Sequence, residues 1–226
     1  MAPWARSRAT IRARRPDLDK VLVNQLALGC DALAVATDSA TQQRLLAYLE
    51  LMIKWNRAYN LTAVRDPEQM VTKHLLDSLA IAPYLAGDYL IDVGTGGGLP
   101  GVPLSIVFPD RQFHLLDSNG KKTRFLFQVK TALGLDNMVV HQARVEAFDS
   151  ETPFDAVLSR AFASLEDMVD DCRHLLASGG HFFAMKGAYP GEEIAAVEDR
   201  CHLEAVHSVN VPGLQEQRHL VDMTLR

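Results

Sequence analysis

Residues 18–85 carry the apolar spacing of amphipathic helices, with apolar positions recurring every three or four residues, whereas the residues before them lack this periodicity. Residues 18–35 are helix-like, with Gly29 as a candidate break. A second helix is predicted from Ser39, which can form a capping box with Gln42. A third helix is predicted to begin at Asp66-Pro67. The N-terminal part is therefore predicted to be helical.

From Tyr89 onward, short apolar strands alternate with helices. Five strands are predicted at 89–94, 112–117, 138–142, 154–159 and 181–186, with helices at 121–133 and 164–176. Two further strands, 204–209 and 219–225, follow without a helix between them. The pattern predicts an α/β fold, a doubly wound and mostly parallel sheet with helices on both faces and an antiparallel C-terminal edge.

Charge and pattern together divide the chain into three predicted parts. These are a basic, flexible arm (1–20), an N-terminal helical cap (21–85) and an α/β core (86–226). The arm holds six basic and two acidic residues, whereas the remaining chain has a net charge of −9. A basic arm on an acidic body favours contact with a polyanion, and a tail without a binding role is the alternative.

Other sequence features exclude several classes of protein. The longest apolar run falls short of a membrane span, and no apolar segment follows the N-terminal arginines as in a secretory signal. Three distant cysteines give no disulfide framework, and no CxxC or HExxH motif is present. We therefore expect a cytoplasmic protein without a metal site.

The most informative segment, residues 92–101 (DVGTGGGLPG), lies where the first core strand meets its helix. Gly96, Gly98 and Gly101 satisfy the GxGxxG pattern, so a dinucleotide cofactor and an NAD-dependent oxidoreductase must be considered. Asp92 precedes the glycines, where its carboxylate can meet the cationic amino group of S-adenosylmethionine, directly or through water. The same carboxylate would repel a pyrophosphate. Asp92 and the antiparallel tail therefore favour the methyl donor.

Asp117 ends the second strand, where an acid can accept both hydroxyls of a ribose. Both candidate cofactors carry a ribose at that place, so Asp117 does not discriminate between them.

The fourth strand ends in Ser159-Arg160-Ala161-Phe162. It lacks the Asn-Pro-Pro-Tyr-like tetrad of enzymes that methylate exocyclic amines, and no Pro-Cys pair supplies a nucleophile for cytosine C5. Such a site suits an acceptor that is already nucleophilic, such as guanine N7, and no dedicated base is expected. Arg160 could hold the methionine carboxylate, guanine O6 or a phosphate, or form a structural ion pair. Lys186, at the end of the fifth strand, could face the acceptor or be a solvated strand end.

Five segments together resemble the bacterial small-subunit ribosomal RNA guanine-N7 methyltransferases, also called glucose-inhibited division protein B. The segments are 55–62 (WNRAYNLT), 74–78 (HLLDS), 92–101, 115–118 (LLDS) and 159–164 (SRAFAS). The resemblance covers residues 40–226. It implies a class I S-adenosylmethionine-dependent methyltransferase fold of the Rossmann-like type.

The resemblance also implies a function, the methylation of one guanine in the 530 loop of 16S ribosomal RNA by a monomeric, cytoplasmic enzyme. Free RNA and the assembled small subunit are both open as the substrate. By matching motif positions, five residues would contact the methyl donor: Gly94, Leu99, Val145, Glu146 and Arg160. A non-catalytic RNA-binding or assembly protein on the same fold remains the other alternative.

Overall fold

The computed structural model describes residues 16–226, and its N-terminal third is helical. The helices are α1 (Pro16–Ala32), α2 (Ser39–Tyr59), α3 (Pro67–Met70) and α4 (Asp77–Leu79), with a π-helical segment, Val71–Leu76, between α3 and α4. Residues 16–20, predicted as part of the arm, belong to α1. The rest of the predicted arm lies outside the described residues.

Two predicted details of these helices are wrong. Helix α1 continues through Gly29. A Cβ atom there would lie 2.5 Å from the Leu76 methyl groups, so the glycine permits close packing of α1 against Leu76. Helix α2 is capped by Asp38 instead of Ser39, since the Asp38 carboxylate accepts a hydrogen bond from the Thr41 amide at 2.7 Å. The Gln42 side chain donates to the Thr37 hydroxyl and forms no capping box.

The C-terminal two-thirds form a seven-stranded sheet with flanking helices. The strands are β1 (Tyr89–Val93), β2 (Gln112–Asp117), β3 (Met138–Gln142), β4 (Phe154–Ser159), β5 (Leu176–Lys186), β6 (Cys201–Ser208) and β7 (His219–Leu225). The helices are α5 (Gly101–Val107), α6 (Gly120–Leu133), α7 (Leu165–Cys172) and α8 (Gly191–Val197). The strand order is β3-β2-β1-β4-β5-β7-β6, parallel up to β5, with β7 antiparallel to both β5 and β6. The predicted α/β architecture and its antiparallel edge are confirmed.

Two hydrophobic clusters fill the two faces of the sheet. Alternate residues of β1 divide between them, as strand geometry requires. Leu90 packs with the N-terminal helices, α5 and α6, whereas Ile91 packs with α7 on the other face. The N-terminal helices thus share one core with a face of the sheet, and the division between cap and core at residue 85 stays a prediction.

The strand order places a ligand site at the carboxyl ends of the central strands. The chain runs outward from β1 through β2 to β3 and then returns to β4 on the other side of β1. Open α/β sheets bind ligands at this reversal, outside the carboxyl ends of the strands. The segment from Asp92 to Gly101 lies there. None of the described helices is long and apolar enough to cross a membrane.

Candidate cofactor and acceptor site

The glycine loop, from Gly94 to Pro100, joins β1 to α5. The amides of Gly94 and Thr95 both donate to the Leu116 carbonyl, at 2.9 and 3.1 Å, which holds the loop against β2. Gly98 has a φ of +94°, and a Cβ atom there would lie 2.4 Å from Cγ2 of Val102. Both the backbone conformation and the available space therefore require glycine at this position.

Asp92 is buried beneath the glycine loop. Its Oδ2 accepts hydrogen bonds from the Thr95 hydroxyl at 2.6 Å and from the Gly101 amide at 2.8 Å, whereas its buried Oδ1 has no hydrogen-bond partner within residues 16–226. Burial raises the pKa of Asp92 to about 7, although these two hydrogen bonds and the charge of Arg160 act in the opposite direction. The carboxyl supports the loop and keeps one acceptor atom unused.

Replacing Asp92 with asparagine is expected to alter the pH dependence of stability. Because folding raises the pKa of this acid, the folded state holds the proton more tightly than the unfolded state between about pH 4 and pH 7. The contribution of the carboxyl to the free energy of unfolding therefore falls as the pH rises through that window, by about 1.4 kcal/mol per pH unit at most. The asparagine variant lacks this decline.

Urea unfolding of the ligand-free protein at about pH 5 and about pH 8 measures the effect. From about pH 5 to about pH 8, the free energy of unfolding of Asp92→Asn should increase relative to that of the native protein. Asp110→Asn, at an exposed carboxyl before β2, is the matched control and should follow the native profile. Parallel profiles for all three proteins would show that Asp92 titrates as an ordinary carboxyl.

Asp117, at the end of β2, is almost buried and binds the glycine loop from the other side. Its Oδ2 accepts from the Gly96 amide at 2.9 Å and lies 3.4 Å from the Lys122 ammonium group. Its Oδ1 accepts from the Asn119 amide at 2.8 Å. A carboxylate offers about four acceptor positions, and the two amides use two of them, so two remain for a ligand that displaces the Lys122 ammonium group at 3.4 Å.

A cavity of about 290 Å³ opens at the carboxyl ends of the central strands, close to the smaller end of the usual size range of small-molecule sites. Four predicted site residues line it: Gly94, Asp117, Val145 and Glu146. The eight other lining residues were not among the predicted site residues: Val93, Leu116, Ser118, Lys122, Ala143, Arg144, Ala161 and Phe162. Most of these closely follow the end of β2, β3 or β4, so the position of the strand ends was the signal that could have identified them.

The other predicted site residues lie outside this lining. Asp92 lies beneath the loop, and Gly96, Gly98 and Leu99 form the body of the loop without lining the cavity. Arg160 and Lys186 line a separate cavity of about 190 Å³.

Arg160 forms an ion pair with a buried acid. Its Nη1 lies 3.2 Å from Oδ2 of Asp77, a carboxylate that is only 4% exposed. Oδ1 of the same carboxylate accepts from Nε of Arg218 at 2.8 Å. The alternative of an ion pair is thus realised in the structure, and the guanidinium still borders an open cavity.

Lys186 is not a solvated strand end. Its side chain is 11% exposed, and its ammonium group lies 2.7 Å from Oε2 of Glu193. The same ammonium donates to the carbonyls of Phe162 and Ala163, at 3.3 and 3.4 Å. Lys186 therefore positions the segment that follows β4.

Motif residues in the N-terminal part of the chain have structural roles. The Asn56 side chain binds the backbone of Thr62 in both directions, at 2.9 and 3.0 Å. The Thr62 hydroxyl in turn lies 2.9 Å from Nε2 of the buried His74. His74 is thus a hydrogen-bonded core histidine, and its burial lowers the pKa of the imidazole.

The cysteines offer no nucleophile. Cys30, Cys172 and Cys201 are all buried, and burial raises the pKa of each thiol above its ordinary value. Within the described part of the chain, no group of three or more His, Cys, Asp or Glu side chains is arranged to hold a metal ion.

Solved structures of methyltransferases share this fold. The glycopeptide N-methyltransferase MtfA aligns over 71% of this chain and all of its own, with a TM-score of 0.57 and 12% identity. The ribosomal protein L11 methylase of Lactobacillus delbrueckii subsp. bulgaricus aligns over 67% of this chain and 77% of its own, with a TM-score of 0.52 and 16% identity. At these identities the likeness concerns the fold.

Sequence relatives are much closer. The ribosomal RNA small subunit methyltransferase G of Pseudomonas aeruginosa is 58% identical over 199 residues, which cover 88% of this chain and 93% of the relative. The protein of the same name from Salmonella paratyphi B is 56% identical over 177 residues, which cover 78% of this chain and 86% of the relative. Residues 41–221 match the family GidB, described as rRNA small subunit methyltransferase G. The chain therefore belongs to the GidB family of small-subunit rRNA methyltransferases.

Proposed function

We propose that this protein transfers a methyl group from S-adenosylmethionine to N7 of a guanine in the 530 loop of 16S ribosomal RNA. The observation that carries the proposal is the cavity at the strand reversal, bordered by Asp117 and the glycine loop, in a chain 58% identical to a protein named for small-subunit rRNA methylation. We further expect a monomer that acts in the cytoplasm.

The residues of this cavity fit the methyl donor. Asp117 would accept the ribose hydroxyls, while Val145 and Glu146, in the short 3-10 helix after β3, would contact the adenine. Gly94 brings bare backbone to the cavity wall, and the loop through Leu99 keeps that wall in place. Asp92 is buried beneath the loop, and its unpartnered Oδ1, when the carboxyl is ionised, favours a positive charge over a pyrophosphate. Family membership and Asp92 together oppose the alternative of an NAD-dependent oxidoreductase.

The end of β4 supports an acceptor that needs no general base. The buried Ser159 hydroxyl donates to the Val93 carbonyl at 2.9 Å and accepts from the Ala161 amide at 3.0 Å, so it shapes the loop and is not placed to remove a proton. When bound, S-adenosylmethionine supplies an electrophilic methyl group. Guanine N7 has a free lone pair, and no proton has to leave before attack. The contribution of the protein is then alignment and electrostatic stabilisation.

Within this scheme Arg160 and Lys186 position the acceptor. Arg160 borders the cavity of about 190 Å³. It directly precedes Ala161 and Phe162, which line the larger cavity proposed for the methyl donor. Lys186 fixes the same segment through two carbonyls. Both residues therefore act on the segment 160–162, whose residues line the two cavities.

Mapping of the modified nucleotide tests the proposal. A 7-methylguanosine is positively charged, so its glycosidic bond becomes labile to reduction followed by aniline cleavage. We expect 16S RNA from a strain lacking this protein to lose one cleavage site in the 530 loop, and the purified protein with S-adenosylmethionine to restore it.

Free RNA and isolated small subunits should be assayed side by side to identify the substrate. Incorporation at an exocyclic amine, or only into small molecules, would contradict the proposed acceptor. Binding of RNA without any methyl transfer would favour the non-catalytic assembly protein.

A further inference from the structure

The cavity of about 190 Å³ joins four distant parts of the chain. Asp77 comes from α4, Arg160 from the segment after β4, Lys186 and Gly187 from the end of β5, and Arg218 from the residue before β7. Sequence patterns did not single out Asp77 or Arg218 as site residues. Their meeting point depends on β7 lying between β5 and β6 in the sheet.

The charges around this cavity do not balance. The Asp77 carboxylate accepts from Nε of Arg218 at 2.8 Å and lies 3.2 Å from Nη1 of Arg160, so a single negative charge faces two guanidinium groups. Lys186 is neutralised by Glu193 at 2.7 Å. Among the residues that line the cavity and their ion-pair partners, one surplus positive charge therefore remains, although residues 21–226 as a whole are acidic.

Arg218 also keeps hydrogen-bonding capacity. Its Nε bonds to Asp77, and its Nη1 donates to the Gln217 carbonyl at 2.8 Å. Within residues 16–226, its Nη2 makes no hydrogen bond, and the side chain is 25% exposed. The buried carboxylate thus holds one edge of the guanidinium, and a free donor remains for an oxyanion.

An anion bound there would lie near the reacting groups, because residues of the segment 160–162 line both cavities. Arg160 directly precedes Ala161 and Phe162, which line the donor cavity, and Lys186 donates to the Phe162 carbonyl. An oxyanion beside Arg218 would therefore lie across one short segment of chain from the methyl donor. Two oxyanions could occupy that place, a backbone phosphate of the RNA or the carboxylate of the donor.

We propose that Arg218, held by Asp77, binds a backbone phosphate of the RNA close to the guanosine that is methylated. The inference rests on the proposed function and adds a contact that positions the substrate. The guanidinium matches the geometry of phosphate oxygens, and the surplus charge offsets part of the repulsion between RNA and an acidic protein.

The salt dependence of RNA binding tests this contact. Arg218→Gln should reduce the slope of log K against log salt by about 0.7–0.9, the value of one phosphate contact. Between about 50 and 200 mM salt, its affinity should therefore fall about threefold less than that of the native protein. Arg218→Lys should keep most of the slope. Arg200→Gln, at an arginine paired with Glu166 and Asp170, is the control and should leave the slope unchanged.

A second pair of variants, at Gly187, leaves the Asp77–Arg218 ion pair intact. A side chain at Gly187 would point into open space, with no atom within 4 Å of its Cβ. Gly187→Glu adds a negative charge to the cavity and should weaken RNA binding at least threefold relative to the neutral Gly187→Gln. Thermal unfolding of both variants should match that of the native protein.

The affinity for S-adenosylhomocysteine separates the two oxyanions. If Arg218 binds RNA phosphate, Arg218→Gln and Gly187→Glu keep native affinity for this product. A loss of product affinity with an unchanged salt slope would assign the site to the donor carboxylate and overturn the inference. Equal RNA affinity for Gly187→Glu and Gly187→Gln would also overturn it. Failure of the native protein to methylate RNA, in contrast, would overturn the proposed function. The salt dependence of RNA binding could still be measured and would still test the Arg218 contact.

Discussion

Replacing Asp117 with alanine is expected to weaken binding of S-adenosylhomocysteine by more than tenfold. Two charge-assisted hydrogen bonds to the ribose would be lost, each contributing about 1.5–3 kcal/mol with incomplete additivity. The Gly96 amide would also lose its acceptor at 2.9 Å, so the glycine loop would be less well ordered before the ligand arrives.

Isothermal titration calorimetry measures this affinity directly. Asp117→Asn keeps the size of the side chain and one acceptor oxygen, so its affinity should lie between those of the native protein and the alanine variant. Asp110→Ala removes an exposed carboxyl just before the same strand and should bind as the native protein does. An unchanged dissociation constant for Asp117→Ala would restrict this residue to holding the loop.

The second large effect is expected on stability, from Gly98→Ala. The new methyl group would lie 2.4 Å from Cγ2 of Val102 and 2.8 Å from Cδ2 of Leu126, both of which are fully buried. Overpacking costs about 1–3 kcal/mol, and a side chain at this positive φ costs about 1–3 kcal/mol more. The free energy of unfolding should therefore fall by about 2–6 kcal/mol, a large part of the stability of a domain.

Gly134→Ala provides the matched control for this substitution. Gly134 ends α6 with a φ of +60°, and a Cβ atom there would meet nothing within 4 Å. Its replacement should lower the free energy of unfolding only by the cost of holding alanine in the left-handed backbone conformation, about 1–2 kcal/mol. Urea unfolding of both variants isolates the steric contribution at Gly98. Equal losses would show that the glycine loop relaxes without cost, in which case close packing does not set its shape.

The spacing of apolar residues and the positions of the strand ends predicted most of the fold. The alternation of apolar strands and helices after residue 89 is a local property, so β1 to β4, α6 and the antiparallel tail were found from the chain alone. The first half of β5 and helix α8 were missed. The segment Leu176–Gly180 contains two glycines and reads as a turn, and only pairing with β4 extends it.

The site was predicted unevenly for a physical reason. Asp117, Gly94 and Glu146 stand at strand ends, where the architecture itself creates the ligand site. Asp92 follows the same rule, but a strand position does not reveal depth, and this carboxyl proved to be buried. Arg218 could not be found at all, since its partner Asp77 lies 141 residues away in the chain. Such a pair exists only after tertiary packing.

The hydrogen bond from the Tyr48 hydroxyl to the Gly97 carbonyl, at 2.6 Å, has a consequence for recombination between proteins. Tyr48 is fully buried on α2, and a Cβ atom at Gly97 would touch the Met52 side chain at 3.2 Å, so the N-terminal helices form part of the support of the glycine loop. They are not an interchangeable attachment to a Rossmann-like core. A chimera that exchanges these helices with those of a distant methyltransferase would inherit a loop shaped for another partner. Tyrosine at 48 and small residues from 96 to 98 would therefore have to be exchanged as one unit.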